Sequence, residues 1–157
     1  MRVFSNTTPF IALASIGRLD LLPNLFDRIH VVEEVIGECA AGGLIAVPPL
    51  RELDWIVPAV APVQTAPHVL LELDSGEKAT LQAALFVQAE LVLMDEKIGR
   101  NMAEYLGLNV SGTLGVLLKA RKLGLLASFR GAAQLMQAQG VFYNSALIDR
   151  MAAIVGE

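Results

Sequence analysis

The chain has 157 residues, 54% of them hydrophobic and 18% charged, which excludes a disordered polymer and falls within the size of one domain. The longest uncharged apolar stretches are too short to span a bilayer, and no basic segment followed by an apolar one marks the chain for export, so a cytoplasmic protein that avoids the membrane is expected. The formal net charge of −4 is unevenly spread: residues 1–96 carry 13 acids against 5 bases, whereas residues 97–130 carry six bases against Glu104 alone.

In chain order, the apolar run at 3–5 predicts a short buried strand. "TTPFIALASIG" then predicts a helix over 9–16, with Thr8 as N-cap, Pro9 in the first position and Gly17 as its stop. Residues 19–26 continue as a second helical piece, 30–32 read as a strand, and 33–41 as a helix ended by Gly42 and Gly43. "WIV" predicts a short strand within 51–58. Over 75–88 apolar residues recur at helical spacing, and "LVLM" at 91–94 is a continuous buried strand. Helices are expected at 96–106, 113–123, 130–139 and 145–155, with a minimal strand near 108–110.

Short, uniformly apolar strands separated by helices imply a parallel sheet covered on both faces, an α/β fold built as a three-layer α/β/α sandwich. No repeat, low-complexity tract or polar linker interrupts it, so a single domain over 1–157 is expected. In such sheets ligands bind beyond the strand ends, which makes the polar residues there the site candidates.

Cys39 is the one cysteine, which excludes an intramolecular disulfide or a cysteine-based zinc site and leaves a buried thiol as its expected role. His30 and His68 are far apart and show no ligand spacing. Any metal would therefore be held by oxygen, which suits hard ions such as magnesium or manganese.

Four acidic positions and one amide stand where a site would form. Asn6 follows the first strand, and Asp95 and Glu96 follow "LVLM". Glu38 shares a helix face with Glu34, and Glu77 opens the helix that starts in "LDSGE". Each also has a purely structural explanation. Asp74 and Glu77 fit a capping box, Glu34 and Glu38 fit an exposed helix face, Glu96 fits an i, i+4 pair with Arg100, and Asn6 fits a turn whose amide bonds the backbone at Thr8. The basic segment beside these acids, with Lys97, Arg100, Lys119, Arg121 and Lys122, fits either a solvated helix face or a surface for a phosphate backbone.

Taken together, "SNTTPFIALASIGRLDLL", "VVEEVIGEC" and "LDSGEKATLQAALFVQAELVLMDEKIGRNMAEYLGLNVSGTLGVLLKARKLGLL" resemble the PIN-domain family, within it the VapC-like toxin branch that carries the "GTLGVL" segment. The resemblance covers nearly the whole chain. It implies a magnesium- or manganese-dependent ribonuclease, commonly the toxin half of a toxin–antitoxin pair, with RNA as substrate, a small antitoxin as partner and a homodimer as the assembly. The family's acidic positions fall on Asn6, Glu38, Glu77 and Asp95, with Glu96 next to the last. Asp95, Glu38, Asn6 and Glu96 are then the metal positions, Glu77 a residue that orients water, and the bases from Lys97 onward the RNA contacts.

One position departs from that pattern. The chain has "SNTT" where "SDTS" is expected, so an amide stands where a metal-binding carboxylate belongs. Asparagine offers a carbonyl oxygen but no charge, and it cannot act as a base. That departure favours a second expectation from a different class: a catalytically silent PIN-like module that binds RNA or a protein partner.

Overall fold

The computed structural model describes residues 1–62 and 73–157; His68 lies outside them. Five strands, β1 (Val3–Ser5), β2 (Ile29–Val32), β3 (Ile56–Ala59), β4 (Leu91–Leu93) and β5 (Val110–Ser111), form one sheet in the order β3-β2-β1-β4-β5. Every pairing is parallel, with Phe4 opposite His30 on one side of β1 and Val92 on the other. All three residues of β1 are buried, as a strand covered on both faces requires. Around the sheet lie α1 (Thr7–Ser15), α2 (Leu21–Phe26), α3 (Glu33–Ala40), α4 (Ser75–Phe86), α5 (Lys97–Tyr105), α6 (Thr113–Lys122), α7 (Phe129–Ala138) and α8 (Ser145–Ile154), making the expected α/β sandwich. Phe4, Phe10, Leu21, Leu81, Leu93 and Phe129 lie at the centre of its core. Among the described residues no helix is long and apolar enough to cross a membrane.

The strand order reverses beside β1. From β1 the chain steps outward through β2 to β3, then crosses back to β4 on the other flank. The carboxyl ends of β1 and β4 therefore face a crevice between diverging connections, the general ligand position of open parallel sheets. Asn6 stands at the end of one strand, with its backbone N–H donating to the carbonyl of Leu93 at 2.9 Å, and Asp95 follows the end of the other.

Several boundaries differ from the sequence expectation, each for a local reason. Helix α1 starts at Thr7, with Asn6 in extended conformation at its N-cap, so Pro9 occupies the third helical position and not the first. The first-turn amides of a helix have no partner within it, so proline is compatible with any of those positions and its presence does not fix the start. Leu108 is not in a strand. Its N–H closes α5 onto the carbonyl of Ala103 while that of Gly107, at φ +85°, closes onto Glu104, and β5 begins two residues later. In the 51–58 segment a 3₁₀ turn at Leu50–Glu52 comes first, and β3 keeps Pro58 because an edge strand has no outer partner to lose.

Glycine-ended helices recur. The closure seen at Gly107 is repeated at Gly17, Gly124, Gly140 and Gly156, all with positive φ. Helix α4 uses the same pair of bonds, from Gln88 to Leu85 and from Ala89 to Ala84, but places Gln88 at φ +53° in the glycine position.

Candidate active site

The acids reach the crevice from three elements. Glu38 projects from the last turn of α3 and accepts a hydrogen bond from the hydroxyl of Thr7, the residue after Asn6. Its carboxylate also lies over the start of α4: a Cβ at Gly76 would stand 2.5 Å from Glu38 Oε1. Glu77, next in sequence, is buried, and a Cβ at Gly99 in α5 would stand 2.8 Å from its Oε2. The glycines of "DSGE" and "KIGR" thus leave room for carboxylates that any side chain would displace.

Helix α4 presents Glu77 through a conventional N-cap. The side chain of Asp74 accepts from the Glu77 N–H at 2.8 Å. The reciprocal half of a capping box is missing, since Glu77 turns inward. Burial, then the hydrogen bond to Asp74 and the charges of Asp74, Glu96 and Glu38, push its carboxyl up to about 8.

Asn6 is 4% exposed and its Oδ1 is buried with no hydrogen-bond partner among the described residues. It stands at the N-cap of α1 but makes no capping bond. One reason is in the sequence. An N-cap side chain accepts from the second or third helical N–H, and the third here is Pro9, which has none. The turn-closing role considered for Asn6 is therefore not what the amide does.

Asp95 is held differently. Its Oδ1 accepts the Thr113 N–H at 2.7 Å, and its Oδ2 accepts the Thr113 hydroxyl at 2.7 Å and the Tyr143 hydroxyl at 3.0 Å. The N-cap of α6 is Gly112, which has no side chain, so Asp95 supplies the anion at that helix start from the neighbouring strand. Gly112 cannot be larger, because a Cβ there would lie 2.7 Å from both Asp95 Oδ1 and Arg100 Nη1. Burial and the negative charge of Asp95 raise the Tyr143 pKa, which keeps its proton in the bond.

Glu96 is exposed at the N-cap of α5 and forms no ion pair with Arg100 among the described residues. Lys97 and Arg100 follow on α5, next to the site. Lys119, Arg121 and Lys122 lie in the last turn of α6, about 9 to 14 Å along its axis from Thr113. There the Lys119 ammonium stacks 4.8 Å from the Phe26 ring, and Arg121 pairs with Glu157 at 3.1 Å. The structure thus brings Glu38 to Thr7, the neighbour of Asn6, and Glu77 within range of the charges of Glu38 and Glu96, sets Asp95 in its own hydrogen-bonded frame, and puts the three α6 bases at the other end of that helix. Thr7, Thr113, Tyr143 and the three glycines lie beyond the sequence reading; the glycine beside an acid in "DSGE" is the one signal the sequence offers for them. Cys39 is buried as expected, and burial pushes its thiol up to about 11.

Among the described residues no three carboxylate, imidazole or thiol groups form a ligand set. Asn6 offers an amide oxygen and adds no charge to the acids nearby. The donors that remain, an unpartnered buried carbonyl oxygen and two carboxylates, are all hard oxygens and fit a hard divalent cation, with reduced charge to hold it.

A family model described as a PIN domain, DUF3368, matches residues 2–157. The chain belongs to the PIN-domain family. PIN domains are generally nucleases and typically use divalent metals. No curated protein and no solved structure matches the chain.

Proposed function

We propose that this PIN domain is a magnesium- or manganese-dependent endoribonuclease, the cytoplasmic toxin of a type II toxin–antitoxin pair, working from a site weakened by Asn6. The observation that carries this reading is the buried, unpartnered Oδ1 of Asn6, next to the Thr7 whose hydroxyl holds Glu38. A polar atom left dry and unbonded in a folded interior is costly unless something else meets it. A cation would.

Asn6, Glu38 and Glu77 would hold that ion, and Glu96 at the exposed rim would reach it through water. When bound, it supplies positive charge against the phosphate and acidifies a water for attack. The protein's own groups do the rest. Glu77, beside the ion, orients the attacking water. Asp95, fixed by Thr113 and Tyr143, holds the end of β4 and the start of α6 in place around the scissile phosphate. Lys97 and Arg100 neutralise the strand beside it. A homodimer and a small antitoxin belong to the same proposal, and the exposed Phe86, Tyr105 and Phe142 are apolar surface of the kind such contacts cover.

The silent RNA- or protein-binding module has its own support, because both oxygens of Asp95 are already engaged within the protein. The two readings separate in one experiment: cleavage of labelled RNA by the native chain and by Asn6→Asp across a magnesium titration. Metal-dependent cleavage by either supports the nuclease, and none by both supports the module.

A further inference from the structure

Asp95 also lines a cavity of about 260 Å³ among β5, α5, α6 and α8. Val110, Leu147 and Met151 give it apolar walls, the Tyr143 side chain adds an aromatic one, and Asp95 and Arg100 stand at its polar end. Tyr143 is fixed there by its bond to Asp95. Arg100 is half-buried and makes no ion pair or side-chain hydrogen bond among the described residues, although its Nη1 lies beside Gly112 at the start of α6.

Apolar and aromatic walls and an unpaired guanidinium in one cavity match the parts of a nucleotide. A base has two apolar faces and a polar edge, and its phosphate is an anion that a guanidinium meets in fork geometry. An amphipathic protein helix would use the walls but would leave Arg100 without a partner. We propose that this cavity receives the base of one nucleotide of an RNA strand, packed between Tyr143 and the α8 side chains, with its phosphate on Arg100. The inference rests on the RNA-directed reading above. It adds a base-holding subsite that shares Asp95 with the candidate active site.

The test needs no cleavage. Fluorescence anisotropy in EDTA compares a labelled hexauridylate with an abasic ribose-phosphate hexamer of the same charge, at fixed salt. Because stacking of a base on an aromatic side chain is sequence-tolerant and substantial, the native chain should bind hexauridylate at least about tenfold more tightly than the abasic strand. Leu147→Trp, on the outer face of α8, should fill the cavity and remove that preference. Arg100→Gln should weaken both strands and lower the salt slope by about one. Equal affinity of the native chain for the two strands would overturn the subsite and leave RNA binding standing. Failure to bind either strand would overturn the RNA reading itself. The native comparison decides the matter even if a variant does not fold.

Discussion

Thr113 gives Asp95 two hydrogen bonds at once, one from its backbone N–H and one from its hydroxyl, each 2.7 Å long. The first caps α6 and the second locks the carboxylate's orientation. Thr113 is fully buried, so Thr113→Val keeps its shape and removes only the hydroxyl. A hydrogen bond to a charged group contributes about 1.5–3 kcal/mol. Urea unfolding should show Thr113→Val less stable by roughly that amount, with an unchanged m value. No loss of stability would mean that the N–H and Tyr143 suffice to hold Asp95.

Glu77 makes stability depend on pH in a direction opposite to that of most acids. Burial and the neighbouring acids push its carboxyl from the ordinary 4.5 up to about 8 in the folded chain. Between those values the folded chain keeps a proton that the unfolded chain has released, so stability falls as pH rises through the window. The fall should be on the order of a few kcal/mol. Thermal melts in EDTA from pH 5 to pH 8 should follow it, and Glu77→Gln should flatten the curve. Added magnesium should flatten it as well, because a cation beside the carboxylate favours its charged form. A metal-free profile that rises over this range would show that Glu77 ionises normally.

The elements were legible where one signal dominated. "LVLM" is apolar without interruption and became β4, and Gly17, with φ +68°, ended α1 where expected. Boundaries failed where two signals agreed with more than one register: Pro9 fits any first-turn position, and Leu108 is apolar both as a strand residue and as the residue that closes α5. In the site, the strand-end positions of Asn6 and Asp95 could be read from pattern alone. The partners of Asp95 could not, since Tyr143 is 48 residues away and reaches it only from the segment after α7, at the end of a path through α5, β5, α6 and α7. Glu157 is a similar case. Its carboxylate accepts from Ser128, from the N–H groups of Phe129 and Arg130 and from Arg121, which holds its pKa down to about 2, and nothing local marks it as the cap of a helix 28 residues earlier.

Gln88 offers a direct gain in stability. It occupies, at φ +53°, the position that glycine fills at the ends of α1, α5, α6, α7 and α8. The left-handed conformation costs a side-chain-bearing residue about 1–2 kcal/mol, and part of that is returned because glycine makes the unfolded chain more flexible. Gln88→Gly should therefore stabilise the protein by about 0.5–1 kcal/mol, read as a higher urea midpoint. Gln88→Ala, which keeps the strain, should give no comparable gain. If both variants are less stable than the native chain, the side chain contributes more than its backbone costs.

Asn6→Asp tests the site at its weakest point. The two side chains have nearly the same shape, and aspartate serves an N-cap as well as asparagine, so the fold should be retained. Without metal, however, the substitution adds a carboxylate at a position that is 4% exposed, next to the Thr7 whose hydroxyl holds Glu38. Burial and like charge both oppose its ionisation, so the metal-free variant should melt below the native chain. Magnesium should reverse the order, because a third carboxylate meets the cation where Asn6 Oδ1 offers only a dipole. The stabilisation by saturating magnesium should therefore be larger in the variant, in proportion to the logarithm of its tighter dissociation constant. If the ion also stabilises charge developing on phosphate, RNA cleavage should rise by at least tenfold, equivalent to about 1.4 kcal/mol of barrier. Glu38→Gln in the Asn6→Asp background should abolish both gains, which separates a restored metal site from a general effect of added charge. A variant that melts lower with and without magnesium, and cleaves no RNA, would show that the crevice does not hold a catalytic ion, leaving binding as the function of this PIN domain.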